Sequence, residues 1–202
     1  MAACRMSVAL VLALLPGTPI VRAQSLPAAA ALVRTEGEVY LNEQLVKEGA
    51  PPIALTDAAH IRTDKGRARI SLKRGGTLVL GDQSSVRILA NGGYNFNKVE
   101  LLVGSAIVLS SESSPLVACG TDVRLSSSGV FRFDVQPPEP ADGTPRCALR
   151  VFDGGAATAG PSVIYVLRGG QRMVLNRRAG DMIPVQAFPA NDLDDLDRWS
   201  RQ

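Results

Sequence analysis

From Leu32 onward the chain reads as short apolar or alternating runs divided by Gly, Asn, Asp, Ser or Pro. The clearest is Arg67-Ala68-Arg69-Ile70-Ser71-Leu72-Lys73. Its period of two predicts a strand with Ala68, Ile70 and Leu72 on one face and Arg67, Arg69, Ser71 and Lys73 toward water. Gly75-Gly76 turns the chain, and Thr77-Leu78-Val79-Leu80 resumes with Leu78 and Leu80 on one face. Gly81-Asp82-Gln83 turns it again before Val86 and Ile88, which flank an outward Arg87. Further strands are expected at Val99–Val103, Ala106–Leu109, Leu116–Cys119, Val123–Leu125, Val130–Val135, Cys147–Phe152, Val163–Leu167, Met173–Leu175 and Ile183–Val185.

Spacings of about 8–12 residues with turn chemistry between them predict an all-β domain. Three architectures fit short strands and tight turns: a β-solenoid, a roll, or a sandwich or jelly-roll-like barrel. The even spacing between Ala68 and Leu109 favours stacked coils in a solenoid or roll, each burying its face on its neighbours. Two segments depart from the pattern. Gln136–Arg146 (QPPEPADGTPR) reads as an exposed Pro-rich loop. Asn191–Gln202 (NDLDDLDRWSRQ) reads as a short C-terminal helix, capped by Asn191 or Asp192, with acids in its first turn and Arg198 and Arg201 near its end. Leu193, Leu196 and Trp199 give that helix one narrow apolar stripe. The stripe either docks on the domain as a cap or meets a partner, and the single Trp favours the cap.

The N-terminus changes the charge arithmetic. Met1–Ala23 has a basic Arg5 and an apolar run Met6–Leu15 broken only by Ser7. Pro16-Gly17 follows, and Val21-Arg22-Ala23 supplies a cleavage site. This pattern predicts a secretory signal peptide over 1–23, because a membrane anchor needs about 20 apolar residues. A linker is expected over 24–31, the all-β domain over 32–188 and the helical cap over 189–202. The whole chain has 22 basic residues against 19 acidic, a net +3. Without Arg5 and Arg22 the count is 20 against 19, a net +1. Loss of Cys4 leaves Cys119 and Cys147, an even pair in an exported chain, which predicts a disulfide. Such a bridge is worth roughly 3.5 kcal/mol in the chain-entropy model. The expected location is periplasmic or secreted, with no integral membrane span after cleavage.

The stretch Leu32–Leu89 resembles the FecR-like domain family. The resemblance rests on the Gly-centred Val33-Arg34-Thr35-Glu36-Gly37-Glu38-Val39 and on Ile61-Arg62-Thr63-Asp64-Lys65-Gly66-Arg67-Ala68-Arg69-Ile70. It continues through Gly75-Gly76-Thr77-Leu78-Val79-Leu80 and Ser84-Ser85-Val86-Arg87-Ile88. Leu101-x-x-Gly104 and Gly129–Phe133 fall where the family places later strands, and Ala58-Ala59 stand where it usually carries Gly-Asp. The resemblance implies an exported all-β domain. The best-known members sense a periplasmic signal and pass it through a membrane helix to a sigma factor. They do so with a cytoplasmic domain and a transmembrane span, neither of which is expected here. What remains implied is a stand-alone binding or scaffold module, with a role in envelope signal sensing, whose partner is a protein or another envelope component.

Candidate chemistry is sparse. Arg62, Lys65, Arg67, Arg69, Lys73 and Arg74 form a basic run opposed only by Asp64. The outward Arg67, Arg69 and Lys73 could hold an anion or an acidic partner, or simply form a solvated face that guards against edge pairing. Near-neutral charge and a lack of interleaved aromatics argue against nucleic acid. His60, the single histidine, has Asp57 and Asp64 nearby, but spacing alone brings no nucleophile to it. Asp192, Asp194, Asp195 and Asp197 suit helix capping better than a calcium loop. No catalytic, cofactor-binding or metal-ligating set is expected, and neither a phosphate loop nor a nucleophile elbow occurs. The competing expectations are a hydrolase or sugar-acting enzyme with an unrecognised carboxylate pair, and a self-assembling structural protein.

Overall fold

The alternating run around Ile70 belongs to a longer strand than its pattern announces. The computed structural model describes residues 30–72, 76–90, 97–111, 116–118, 122–125, 128–137, 146–159, 164–175 and 185–202. Among these the chain forms fifteen strands and one short helix, all-β as the spacing predicts. The first seven strands are β1 (Ala30–Leu41), β2 (Gln44–Val46), β3 (Ile53–Leu55), β4 (Ala59–Leu72), β5 (Thr77–Leu80), β6 (Ser85–Ala90) and β7 (Asn97–Ser110). The remainder are β8 (Leu116–Ala118), β9 (Asp122–Leu125), β10 (Gly129–Gln136), β11 (Arg146–Asp153), β12 (Gly155–Ala159), β13 (Ile164–Arg168), β14 (Gln171–Leu175) and β15 (Gln186–Ala187). The helix is α1 (Asp195–Ser200).

All fifteen strands join one hydrogen-bonded sheet, which doubles over because its long strands pair twice. Ala59–Arg62 of β4 pairs with β6, whereas Ala68–Ser71 pairs with β5. The first half of β7 lies between β6 and β8, and its second half between β5 and β10. β1 follows β4 along both halves. One layer therefore runs β3, β1, β4, β5, β7, β10, β11, β14, β15, and the other β2, β1, β4, β6, β7, β8, β9, β12, β13. Leu32, Ile70, Leu78, Phe131, Phe133 and Leu149 from the first share a single core with Ile61, Val86, Ile88, Val99, Val123 and Leu167 from the second. The form taken is the roll. Among the described pairs every one is antiparallel except β7 with β8, so parallel stacked coils are not its arrangement.

The line of bending explains the glycine-rich motifs. Gly37 of β1 lies directly opposite Gly66 of β4, beside a register shift. A Cβ on Gly37 (φ +69°) would sit 2.2 Å from the Lys65 carbonyl oxygen, and one on Gly66 2.4 Å from that of Glu36. Gly104 bends β7 at φ +88°, where a Cβ would lie 2.3 Å from Ser84 Oγ. Thr63, fully buried, closes the same line: its hydroxyl donates to the Gly81 carbonyl at 2.5 Å and accepts from the Ser84 N–H at 3.0 Å. Ser84 Oγ in turn accepts from the Ser105 N–H at 2.9 Å. The Gly, Thr and Ser positions behind the family resemblance are thus corner pieces.

Several expectations shift for the same reason. Val99–Val103 and Ala106–Leu109 are one strand, because Gly104 bends the chain without reversing it. β1 starts at Ala30, inside the expected linker. β2, β3 and the Ala-rich β12 carry too little alternation to be read from sequence. Residues 183–184 of the last expected strand lie outside the described residues, and the strand found there is Gln186–Ala187.

Candidate functional site

The C-terminal segment builds an extended polar arrangement among the described residues. Asp194, not Asn191 or Asp192, is the N-cap of α1. It accepts from the Asp197 N–H at 3.0 Å while Asp197 Oδ2 accepts from the Asp194 N–H at 3.1 Å, a reciprocal capping box. The cap falls on Asp194 because only it has an acid three residues on that also faces inward. A six-residue helix is too short to persist alone, so tertiary contact must hold it. Leu196 and Trp199 supply that contact, packing on Val79 and Ile107 with Leu109 and Val130 alongside. Leu193 precedes the helix and is half-buried. The apolar stripe therefore docks on the protein's own sheet, on the outer face of the first layer. Val79 and Ile107 point away from the main core yet are 0% exposed.

Arg132 anchors the helix from below. It is 6% exposed, and its guanidinium donates to Asp134 at 2.9 Å, Asp194 at 2.5 Å and Asp197 at 3.0 Å. Asp134 also accepts from Ser105 Oγ at 2.6 Å and from Arg150 at 3.0 Å. Burial works against the Arg132 charge, but Asp134 foremost, with Asp194 and Asp197, holds its pKa above the ordinary value. Partial burial likewise works against the Asp194 carboxylate. The Asp197 N–H and the Arg132 guanidinium outweigh it and hold the carboxyl below its ordinary 3.8.

One residue of the expected basic face, Arg69, meets the same helix. Arg69 donates to the Trp199 and Ser200 carbonyl oxygens at 3.2 and 3.1 Å, at the end where a cation suits the helix dipole. Its guanidinium and that of Arg34 lie 5.3 and 5.4 Å from the Trp199 ring centroid. Arg67 faces outward, 3.7 Å from Asp82. Lys73 lies outside the described residues. Arg69 is thus engaged by the helix, whereas Arg67 pairs with the exposed Asp82.

Beside α1 opens a cleft of about 670 Å³, lined by Ser105, Asp134, Gln136, Arg150, Arg172 and Gln186 over a floor that includes Val135 and Met173. Arg150 and Arg172 are directly opposed in the β11–β14 register, which sets like charges side by side. Arg150 is met by Asp134, whereas Arg172 meets only the neutral Gln186, at 3.2 Å, among the described residues. Sequence reading missed Arg132, Asp134, Arg150 and Arg172. The one available signal was an Arg and an Asp inside Phe131-Arg132-Phe133-Asp134, where alternation already turns both outward.

His60 has partners that spacing did not reveal. Its Nε2 is 2.7 Å from Ser85 Oγ and its Nδ1 is 3.2 Å from Glu43 Oε1. Asp64 pairs with Arg62 instead. Ser85 is 5% exposed within a strand flanked by β4 and β7. The set braces the Asn42-Glu43 turn, whose backbone is left-handed at both residues, against β4. Among the described residues no three metal-ligating side chains cluster, and no helix is long and apolar enough to cross a membrane. Cys147 is buried in β11, and Cys119 lies outside the described residues.

No family model matches the chain, and no curated protein does. Its fold is similar to two crystal structures of a proposed anti-sigma factor from Parabacteroides distasonis ATCC 8503, at 1.65 and 2.50 Å. The TM-scores are 0.53 and 0.52, each at 16% identity, over 67% and 65% of this chain. The matches cover 61% and 60% of those chains, so this protein spans about three fifths of their length.

Proposed function

We propose that the protein is a non-enzymatic, exported binding module of FecR-like type that works in envelope signalling through protein contacts. The observation that carries this reading is the cleft beside α1, where Arg150 and Arg172 stand opposed and Arg172 has no acidic partner among the described residues. A carboxylate-bearing protein segment suits that charge. The fold shared with a proposed anti-sigma factor agrees with a signalling role. The corner-building role of Gly37, Thr63, Gly66 and Gly104 supports the FecR-like character. The Met1–Ala23 pattern supports export, with cleavage after Ala23 and a Cys119–Cys147 bridge.

A photo-crosslinking residue at position 136, on the lining of the same cleft, expressed in cells, tests the reading. A discrete protein adduct in the envelope fraction, lost when Arg150→Glu is added, is the expected result. Background-level adducts unchanged by Arg150→Glu would overturn it. Labelling of Ser85 by a fluorophosphonate would overturn the non-enzymatic part. N-terminal sequencing of exported protein should begin at Gln24, and denatured, non-reduced protein should show no reactive thiol.

A further inference from the structure

We infer that α1 is a displaceable occupant of a docking groove, and that the groove accepts an acidic amphipathic helix from a partner protein. This rests on the binding-module reading and specifies its partner. Val79, Ile107, Leu109 and Val130 form the groove's apolar floor on the outer face of the first layer. Its two ends are cationic: Arg132 at one, and Arg69 with Arg34 at the other. The ends are not equivalent. Arg132 takes carboxylates from the first helical turn, and Arg69 takes the last carbonyl oxygens, so helix polarity is fixed. The pattern recognised is that of Asp194, Leu196, Asp197 and Trp199: two acids three residues apart, a leucine just before the second and a tryptophan two positions after it.

The resident helix fills this groove imperfectly. Arg69 Nε, Asp197 Oδ1 and Trp199 Nε1 are each buried without a hydrogen-bond partner, and all three lie at this one interface. Undocking returns each of them to water, which removes a desolvation penalty that docking incurs. Six residues bring only Leu196 and Trp199 as buried apolar side chains. A longer helix with the same pattern covers more of the floor. Charge selects against other occupants, because an apolar or basic helix leaves Arg132 buried beside the groove without the Asp194 and Asp197 carboxylates.

Trp199 is the chain's only tryptophan, so its emission reports docking directly. The probe is a capped peptide of residues 190–202 with Trp199→Phe, carrying a fluorescein, added to the full chain. The expected result is a saturable rise in peptide polarisation together with a red shift of Trp199 emission. A peptide with Asp194→Asn and Asp197→Asn should produce neither. A chain carrying Leu196→Ala should half-saturate at about tenfold lower peptide, since its own helix is held less tightly. Polarisation that rises with unmoved Trp199 emission means binding elsewhere and overturns the inference. No change in either readout, in the unmodified and Leu196→Ala chains alike, overturns it too. The failures separate: an adduct at position 136 with an unresponsive Trp199 leaves the binding module standing and removes only the groove.

Discussion

Ala58 sits at φ +59°, in the left-handed region that a Cβ disfavours, and is followed directly by β4. An L-residue there costs about 1–2 kcal/mol, less the chain entropy that glycine would add. Ala58→Gly should therefore stabilise the fold by about 0.5–1 kcal/mol, read as a higher denaturation midpoint at unchanged m-value. Thr63 makes the opposite case. Val is nearly isosteric, but it strands the Gly81 carbonyl and the Ser84 N–H inside the corner. Thr63→Val should destabilise by about 2 kcal/mol in urea melts, whereas Thr63→Ser should lose much less. Only the family resemblance marked them in the sequence, Ala58 where the family usually carries Gly and Thr63 inside the Ile61–Ile70 motif. Their roles depend on backbone angle and on partners some twenty residues away, which no local pattern encodes.

At the scale of elements, alternation did well wherever one face was buried. β4 around Ile70 and β11 around Leu149 alternate buried positions with half-buried or exposed ones, whereas Phe131-Arg132-Phe133 of β10 is buried throughout. It failed where both faces are covered. In Leu78-Val79-Leu80 and Ala106-Ile107-Val108 the outward Val79 and Ile107 are buried as well, because α1 covers them. The stripe of Leu196 and Trp199 was legible as a docking face, but its receptor was not, because Arg132 and Ile107 come from strands distant in sequence. The Asp194 carboxyl sets the pH response of this element. Its folded pKa lies below 3.8, so its contribution is fully present above that value and is lost as the pH falls below 3.8. Trp199 emission should red-shift in that acid range before far-UV circular dichroism changes, and Asp194→Asn should abolish the separate step. Emission and dichroism changing together at every pH would contradict it.

For the molecule as a whole, the all-β class and the turns between short strands were readable, while the doubling of the sheet was not. Spacing between Ala68 and Leu109 suits stacked coils and folded-over hairpins equally, and only the pairing of β4 with both β5 and β6 separates them. The shared core predicts that amides of Ile61, Ile70, Val86, Val108 and Phe133, drawn from both layers, exchange with deuterium through one common opening of equal free energy. Amides of α1 should exchange far sooner. Two distinct exchange classes, one for each layer, would refute the shared core.

Gly104 has a kinetic consequence. Because β1, β4 and β7 each pass through both layers, neither layer can be completed while the other is unformed. The corner at Gly37, Gly66 and Gly104 must close before either sheet has its neighbours, so it belongs in the folding transition state. A tightly bent, non-local topology of this kind folds slowly, and an alanine at Gly104 would burden the rate of folding more than that of unfolding.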